Sequence, residues 1–253
     1  LYDFQRDGYR WLWNLWRHGV GGLLADDMGL GKTHQALALV AALWAGARPK
    51  PRILIVAPAS VVPHWASKIG RLLPEVPVIE RAGAVRSRAA GSVLLSYGVA
   101  RKDAEQLAAV SKAEGDEVDR RGFDLAIYDE AHVLKNPSSQ THRELAKIPA
   151  RVAIGLTGTP IENSVTDLAA LLSLVAPGYL PPPAAFDRLY GEPIAQGEAA
   201  ARAALARLVR PLVVRRTKAE VLDGLPPKIE DRRTCRLTDE QRGLYQALLA
   251  SDP

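Results

Sequence analysis

The chain has 253 residues, 47% of them hydrophobic and 24% charged, which is enough apolar material for one large globular domain or a domain with a subdomain and excludes a disordered or fibrous protein. No apolar run reaches the length of a membrane span and no secretory signal opens the chain, so no membrane partner is expected. The formal net charge of +5 permits nucleic-acid binding without establishing it.

In chain order, the tryptophans Trp11, Trp13 and Trp16 fall within one helix, where their spacing suits core or partner packing better than base stacking. Gly21 to Ala25 reads as a short buried strand and Ala36 to Trp44 as a buried helix. Arg52 to Ala57 is a continuous apolar run, as expected of a strand covered on both faces. A helix over Ser60 to Leu73 follows, with Trp65, Ile69, Leu72 and Leu73 at helical spacing, then strands at Val76 to Ile79 and Ser92 to Tyr97. Gly98 to Lys112 looks helical, and Lys112 to Gly122 is a charged surface connection. Then come a strand over Asp124 to Asp129, a helix over Ser138 to Ala146, a strand over Arg151 to Leu156 and a helix over Val165 to Val175. Strands and helices alternating at this length imply an α/β fold with a parallel sheet and helices on both faces.

The texture changes after Pro177. Pro181-Pro182-Pro183 interrupts the pattern, residues 184 to 210 are Ala-rich and helical, and Arg215-Arg216-Thr217-Lys218 forms a basic cluster. Pro226-Pro227 breaks the chain again before a strand over Lys228 to Leu237 and a helix over Asp239 to Ala250. The expected organisation is a sheet domain over residues 1–177, a small helical protrusion over 178–215, and the end of the sheet domain with a connecting segment over 216–253.

Two strings carry the chemistry. Between the first buried strand and its helix lies Asp26-Asp27-Met28-Gly29-Leu30-Gly31-Lys32-Thr33. Gly29 and Gly31 lack Cβ atoms, so the backbone can curl and aim N–H groups at phosphate oxygens, and the following helix adds its positive end. Lys32 supplies charge for the β and γ oxygens, and the Thr33 hydroxyl suits Mg²⁺. The strict phosphate-loop pattern wants glycine where Asp26 stands. The second string, Asp129-Glu130-Ala131-His132, ends an apolar strand. A carboxylate pair at the carboxyl end of a parallel strand lies where such sheets bind ligands, so Asp129 would hold Mg²⁺ and Glu130 would polarise the attacking water. Together the strings point to hydrolysis of a nucleoside triphosphate with Mg²⁺ as cofactor.

The order of motifs then resembles the first, RecA-like lobe of the Swi/Snf-type DNA-dependent ATPases, a branch of the superfamily-two helicase-like proteins. The resemblance runs from Leu1 to about residue 250. It is carried by Phe4-Gln5-Arg6-Asp7-Gly8 with Trp11-Leu12; Leu24 through Thr33; Val56-Ala57-Pro58-Ala59-Ser60 with Trp65; Leu95-Ser96-Tyr97; Asp129-Glu130-Ala131-His132 with Lys135-Asn136; Leu156-Thr157-Gly158-Thr159-Pro160-Ile161-Glu162-Asn163; and Arg215-Arg216-Thr217-Lys218 through Leu225-Pro226. Asp26 is normal in that family, whereas Glu is usual where Asp27 stands.

The resemblance implies that Gln5 reads the adenine edge and that Asp27, Met28, Gly29, Leu30, Gly31, Lys32, Thr33 and His34 surround the phosphates. It implies that His132, Thr157 and Thr159 couple hydrolysis to movement between lobes. It places Ser60, Val61, Ser96, Tyr97, Lys135 and Asn136 against the phosphates of one DNA strand, a contact that carries no sequence information. The Arg215, Arg216 and Lys218 cluster is left between DNA, a second lobe and a solvated or salt-bridged face.

The expected function is therefore ATP-dependent translocation on double-stranded DNA, used to move or strip proteins bound to it, with the protein target unnamed. The alternatives are a strand-separating DNA or RNA helicase of the same superfamily, and a non-catalytic DNA- or protein-binding module. A start at Leu1 rather than Met leads us to expect a segment of a longer protein, and the resemblance implies a second RecA-like lobe as its partner and as a source of ATP-site residues. The single Cys235 allows no internal disulfide and suits a reducing compartment. The excess of Arg over Lys and the abundance of Ala suggest a bacterial source, hence a cytoplasmic, nucleoid-associated protein, or a nuclear one if eukaryotic.

Overall fold

Buried on both faces, the apolar run Ile53 to Ala57 lies inside a seven-stranded sheet. The computed structural model describes residues 1–79, 91–109, 122–159, 164–221 and 237–250. Its strands are β1 (Gly22–Leu24), β2 (Arg52–Ala57), β3 (Val78–Ile79), β4 (Gly91–Ser96), β5 (Phe123–Asp129), β6 (Ala150–Leu156) and β7 (Val213–Val214). They lie in the order β3-β4-β2-β5-β6-β1-β7, and every pairing is parallel. The expected α/β, RecA-like parallel sheet is the observed architecture.

The helices are α1 (Asp3–His18), α2 (Lys32–Gly46), α3 (Val62–Leu72), α4 (Tyr97–Lys102), α5 (Ala104–Ala109), α6 (Gln140–Leu145), α7 (Val165–Val175), α8 (Pro183–Phe186), α9 (Glu192–Ala195), α10 (Ala199–Val209), α11 (Lys218–Val221) and α12 (Asp239–Ala250). The steps β1→β2 and β2→β3 run one way along the sheet, and all later steps run the other way. Because parallel crossovers are right-handed, this reversal puts α2 and α3 on one face and α4 to α7 on the opposite face. The packing of α1 on α2 and of α4 and α5 on α6 agrees with that division.

Local chemistry explains where the elements depart from the sequence reading. Ser60 and Val61 form a turn rather than the first residues of α3, with the Val61 and Val62 N–H groups donating to the Pro58 carbonyl. The helix expected over Gly98 to Lys112 is broken at Asp103, whose φ of −101° and ψ of 13° leave the helical region. Asp is a poor interior helix residue because its side chain competes for backbone groups. The Ala-rich stretch is a continuous helical run from Pro183 to Ala195, with a π-turn over Asp187–Gly191 just ahead of Pro193, which has no N–H to donate, and then a separate α10 beyond Gly197, which is left-handed with φ 88°. Val213–Val214, within the stretch read as helical protrusion, is a sheet strand against β1.

Most of the Lys112 to Gly122 connection, the Lys228 to Leu237 strand apart from Leu237, and Pro160 to Asn163, Leu225-Pro226 and Cys235 lie outside the described residues. The chain divides into two compact units, Leu1–Val221 and Leu222–Pro253. In the second unit, Thr238 and Gln241 exchange two side-chain-to-backbone bonds of 3.1 and 3.3 Å, a capping box that starts α12.

Candidate active site

All seven strands point the same way, so every motif that follows a strand arrives at one edge. The register is close. Ser96 pairs with Ala57, Asp129 with Leu156, and Leu156 and Val214 with Leu24. Val56 pairs with Tyr128, which puts Ala57 and Asp129 at the same level. The phosphate loop, the acidic pair, Thr157 and the segments after β2 and β4 thus leave the sheet along a single row, at the carboxyl edge where such sheets bind ligands.

The loop after β1 has the geometry its glycines predict. Gly29 and Gly31 take φ of 87° and 78°, a left-handed conformation that side chains resist. Gly31 caps α2, whose first turn carries Lys32, Thr33 and His34. The Lys32 ammonium donates to the backbone carbonyls of Asp26 at 2.6 Å and Asp27 at 3.3 Å. Burial lowers the Lys32 pKa, and the negative charges of Glu130, Asp26, Asp129 and Asp27 pull it back upward. That coupling places the loop lysine and the acidic pair in one electrostatic site. His34, its pKa lowered by partial burial and by the nearby Lys68 and Arg71, is biased toward the neutral ring.

Gln5 reaches the same loop from α1. Its Nε2 donates to the Leu30 carbonyl at 3.1 Å and its Oε1 accepts from the Tyr2 N–H at 3.1 Å. An amide has two donors and two acceptor lone pairs, so one of each is left for a ligand.

Asp26, the residue out of pattern, is fully buried. Arg216 grips it with Nε at 2.9 Å from Oδ1 and Nη2 at 2.6 Å from Oδ2, and Gln35 Nε2 adds a bond of 3.0 Å. Arg216 Nη2 also donates to Gln35 Oε1 at 2.9 Å. The backbone continues the clamp, because Leu23, Ala25 and Asp27 donate in turn to Leu212, Val214 and Arg216 at 2.7–3.0 Å. The Lys218 N–H closes on the Asp27 carboxylate at 3.0 Å. Of the three settings left open for the basic cluster, Arg216 takes the salt-bridged one.

At the end of β5, Asp129 is buried. Its Oδ2 accepts from the Trp65 indole N–H at 2.7 Å and its Oδ1 from the Glu130 N–H at 3.0 Å. Glu130 sits at φ 50° and ψ 50°, the single described non-glycine residue with positive φ. Such strain is characteristic of functional positions. His132 Nδ1 lies 3.3 Å from Glu130 Oε2, and neither atom makes a hydrogen bond. Thr157 is fully buried, donates its N–H to the Leu24 carbonyl at 3.1 Å, and accepts at Oγ1 from the Thr159 N–H at 3.2 Å. It thereby ties the end of β6 to the start of the phosphate loop.

The remaining expected positions are spread along the same edge. Ser60 is exposed and Val61 half-buried. Ser96 caps α4, accepting from the Val99 N–H at 3.3 Å. Asn136 is exposed, with Oδ1 accepting from the Ser138 N–H at 2.9 Å, and Lys135 follows the 3-10 turn Ala131–Leu134. Tyr97 points inward. It is 8% exposed, and its hydroxyl donates to the Asp129 carbonyl at 2.7 Å, so its side chain is not available to the DNA contact expected of it. Sequence reading gave no site role to Trp65, Gln35 or the inward hydroxyl of Tyr97. One signal was available: a buried acid in the place of a loop glycine demands a cation.

The donor set fits Mg²⁺. Among the described residues no three His, Cys, Asp or Glu side chains converge on one point. Mg²⁺ in phosphate-transfer sites takes few protein ligands and fills its octahedron with phosphate and water, which is what Thr33 and Asp129 offer.

The model of the SNF2-related domain family matches residues 4–252. Among curated proteins, the chain is 33% identical over 99% of its length to the TATA-binding protein-associated factor BTAF1 of Arabidopsis thaliana, and it covers 13% of that protein. It is 33% identical over 98% of its length to the putative ATP-dependent helicase/translocase YwqA of Bacillus subtilis, covering 27% of it. Among solved structures, the Sulfolobus solfataricus SWI2/SNF2 ATPase core in complex with dsDNA superposes with a TM-score of 0.76 at 29% identity, over 98% of this chain and 51% of that one. The chain thus spans about half of that core and a smaller part of these curated relatives. With a family match over nearly its whole length and the same fold, the chain belongs to the SNF2-related domain family.

Proposed function

We propose that the chain is the ATP-binding lobe of a DNA-dependent ATPase that translocates on double-stranded DNA and displaces protein bound to it. The observation that carries this reading is the single row at the carboxyl edge. It holds the Lys32 loop, the Asp129–Glu130 pair and Thr157 beside two strand ends, at Ser60-Val61 and Ser96, whose polar and backbone groups suit phosphate. The names of the relatives and the DNA-bound Sulfolobus core support it.

In this reading the loop N–H groups and Lys32 hold the β and γ oxygens, leaving the carbonyls that Lys32 now holds. Gln5 offers its free donor and acceptor to adenine. Thr33 and Asp129 hold Mg²⁺, which when bound neutralises charge on the transferring phosphate. Glu130 orients water for in-line attack, and His132, Thr157 and Thr159 link that site to its neighbours. Lys135 and Asn136 join Ser60, Val61 and Ser96 on DNA. A second RecA-like lobe, absent from these 253 residues, supplies the arginine that stabilises the transition state, a contribution worth about 10³–10⁵ in rate. Arg216 is poorly suited to that task because Asp26 already holds it.

The test is ATP turnover by the intact protein with and without duplex DNA. Stimulation should depend little on DNA sequence and fall steeply as salt rises. The 253-residue segment alone should bind ATP but hydrolyse it slowly. Strand displacement on a simple duplex would instead favour the helicase reading. Absence of turnover in the intact protein with DNA would favour a non-catalytic module.

A further inference from the structure

Asp129 is held by donors from two other elements. Trp65 gives its indole N–H to Asp129 Oδ2 at 2.7 Å, and Tyr97 gives its hydroxyl to the Asp129 carbonyl at 2.7 Å. Both donors are buried, at 0% and 8% exposure, so water does not compete for these bonds.

The two donors begin at the segments assigned to DNA. Trp65 lies one turn into α3, its N–H bonded to the Val61 carbonyl at 3.1 Å, and Val61 is bonded in turn to Pro58 at the end of β2. Tyr97 is the first residue of α4, directly after Ser96 at the end of β4. A displacement of either segment moves a donor on Asp129.

We propose that Trp65 and Tyr97 are positioning residues that fix the Asp129 carboxylate and carry DNA contact at Ser60-Val61 and Ser96 to it. The proposal rests on the site roles given above. A carboxylate rotates in a broad two-fold well, and its oxygens have about four lone-pair directions. Trp65 and the Glu130 N–H fill one direction on each oxygen, which fixes the orientation of the carboxylate and of the directions left over. Losing the indole N–H frees that rotation. Losing the Tyr97 hydroxyl frees the backbone on which the carboxylate stands.

The experiment uses Trp65→Phe and Tyr97→Phe in the intact protein, which keep a ring and remove the donor. Binding of a fluorescent ADP analogue in EDTA reports the phosphate loop without metal and should change less than about twofold. The Mg²⁺ concentration that tightens this binding should rise by about 10–100-fold for Trp65→Phe, the usual effect of losing a partner of a metal ligand. Duplex DNA affinity should stay within about twofold, while the ratio of DNA-stimulated to basal turnover falls in both variants. Unchanged Mg²⁺ dependence in Trp65→Phe would overturn the positioning role. An unchanged stimulation ratio in both variants would overturn the coupling. Loss of metal-free nucleotide binding in step with the Mg²⁺ shift would reduce Trp65 to a packing residue, and Tyr97→Phe then decides the coupling alone. A parent protein unresponsive to DNA would defeat the proposed function, while the Mg²⁺ titration would still test the positioning.

Discussion

Replacing Arg216 by leucine should destabilise the Leu1–Val221 unit far more than loss of an ordinary ion pair. Asp26 has no exposed surface, and the Arg216 side chain is 17% exposed. Without the guanidinium, the carboxylate keeps one side-chain donor, Gln35 Nε2 at 3.0 Å. The Phe4 carbonyl and Gln35 Oε1 lose their bonds from Arg216 as well. Stranding one partner of a buried pair costs about 3–5 kcal/mol. The exposed pair Arg6–Asp3, at 62% and 94% exposure, sets the contrast, since such pairs contribute about 0–1 kcal/mol. For a unit of this size, about 2–4 °C is lost per kcal/mol, so Tm should fall by about 6–20 °C.

The decisive measurement is a double-mutant cycle by thermal and urea unfolding. Asp26→Asn combined with Arg216→Leu removes both charges together and should recover most of the loss, because the penalty comes from an unpaired buried charge and not from the missing attraction. Nucleotide binding should follow, since the Asp26 carbonyl also positions Lys32. A loss below about 1 kcal/mol for Arg216→Leu, or a double variant as unstable as the single, would refute the reasoning.

Three further outcomes follow from single residues. Lys32→Ala should abolish ATP binding while leaving the circular dichroism spectrum intact; retained binding would place the phosphates elsewhere. Glu130→Gln in the intact protein should keep ATP and DNA binding but cut turnover by about 10² or more, read in a steady-state assay. Glu130→Gly should be at least as stable to urea as Glu130→Ala, by up to about 1–2 kcal/mol, because alanine at φ 50° carries a left-handed penalty that glycine escapes; the usual preference for alanine would mean that the backbone relaxes.

The strand runs were legible because a parallel sheet covered on both faces asks for continuous apolar residues, and Arg52–Ala57 supplies them from its second position on. Val213–Val214 was not, because a two-residue edge strand has no period, and its pairing with Leu23 and Leu24 is set by residues about 190 positions away. The breaks at Asp103 and Gly197 are local effects that composition blurs, since alanine favours helix whether or not the helix is continuous.

The site divides along the same line. Gly29, Gly31 and Lys32 work through their own backbone and a neighbouring helix end, so their chemistry can be read from adjacent letters. Asp129 cannot be read that way, because its orientation is set by an indole from α3 and its carbonyl by a hydroxyl from α4. Trp65 carries apolar helical spacing, and spacing alone cannot tell a ring that only fills the core from one whose single polar atom is spent on a carboxylate. Asp26 shows the converse. A charged residue stands at a position that the general pattern gives to glycine, it is fully buried, and burial demands a cation. What the sequence withholds is which of several basic residues answers, and the carbonyls of Leu212, Val214 and Arg216, laid in succession along Leu23, Ala25 and Asp27, make that residue Arg216.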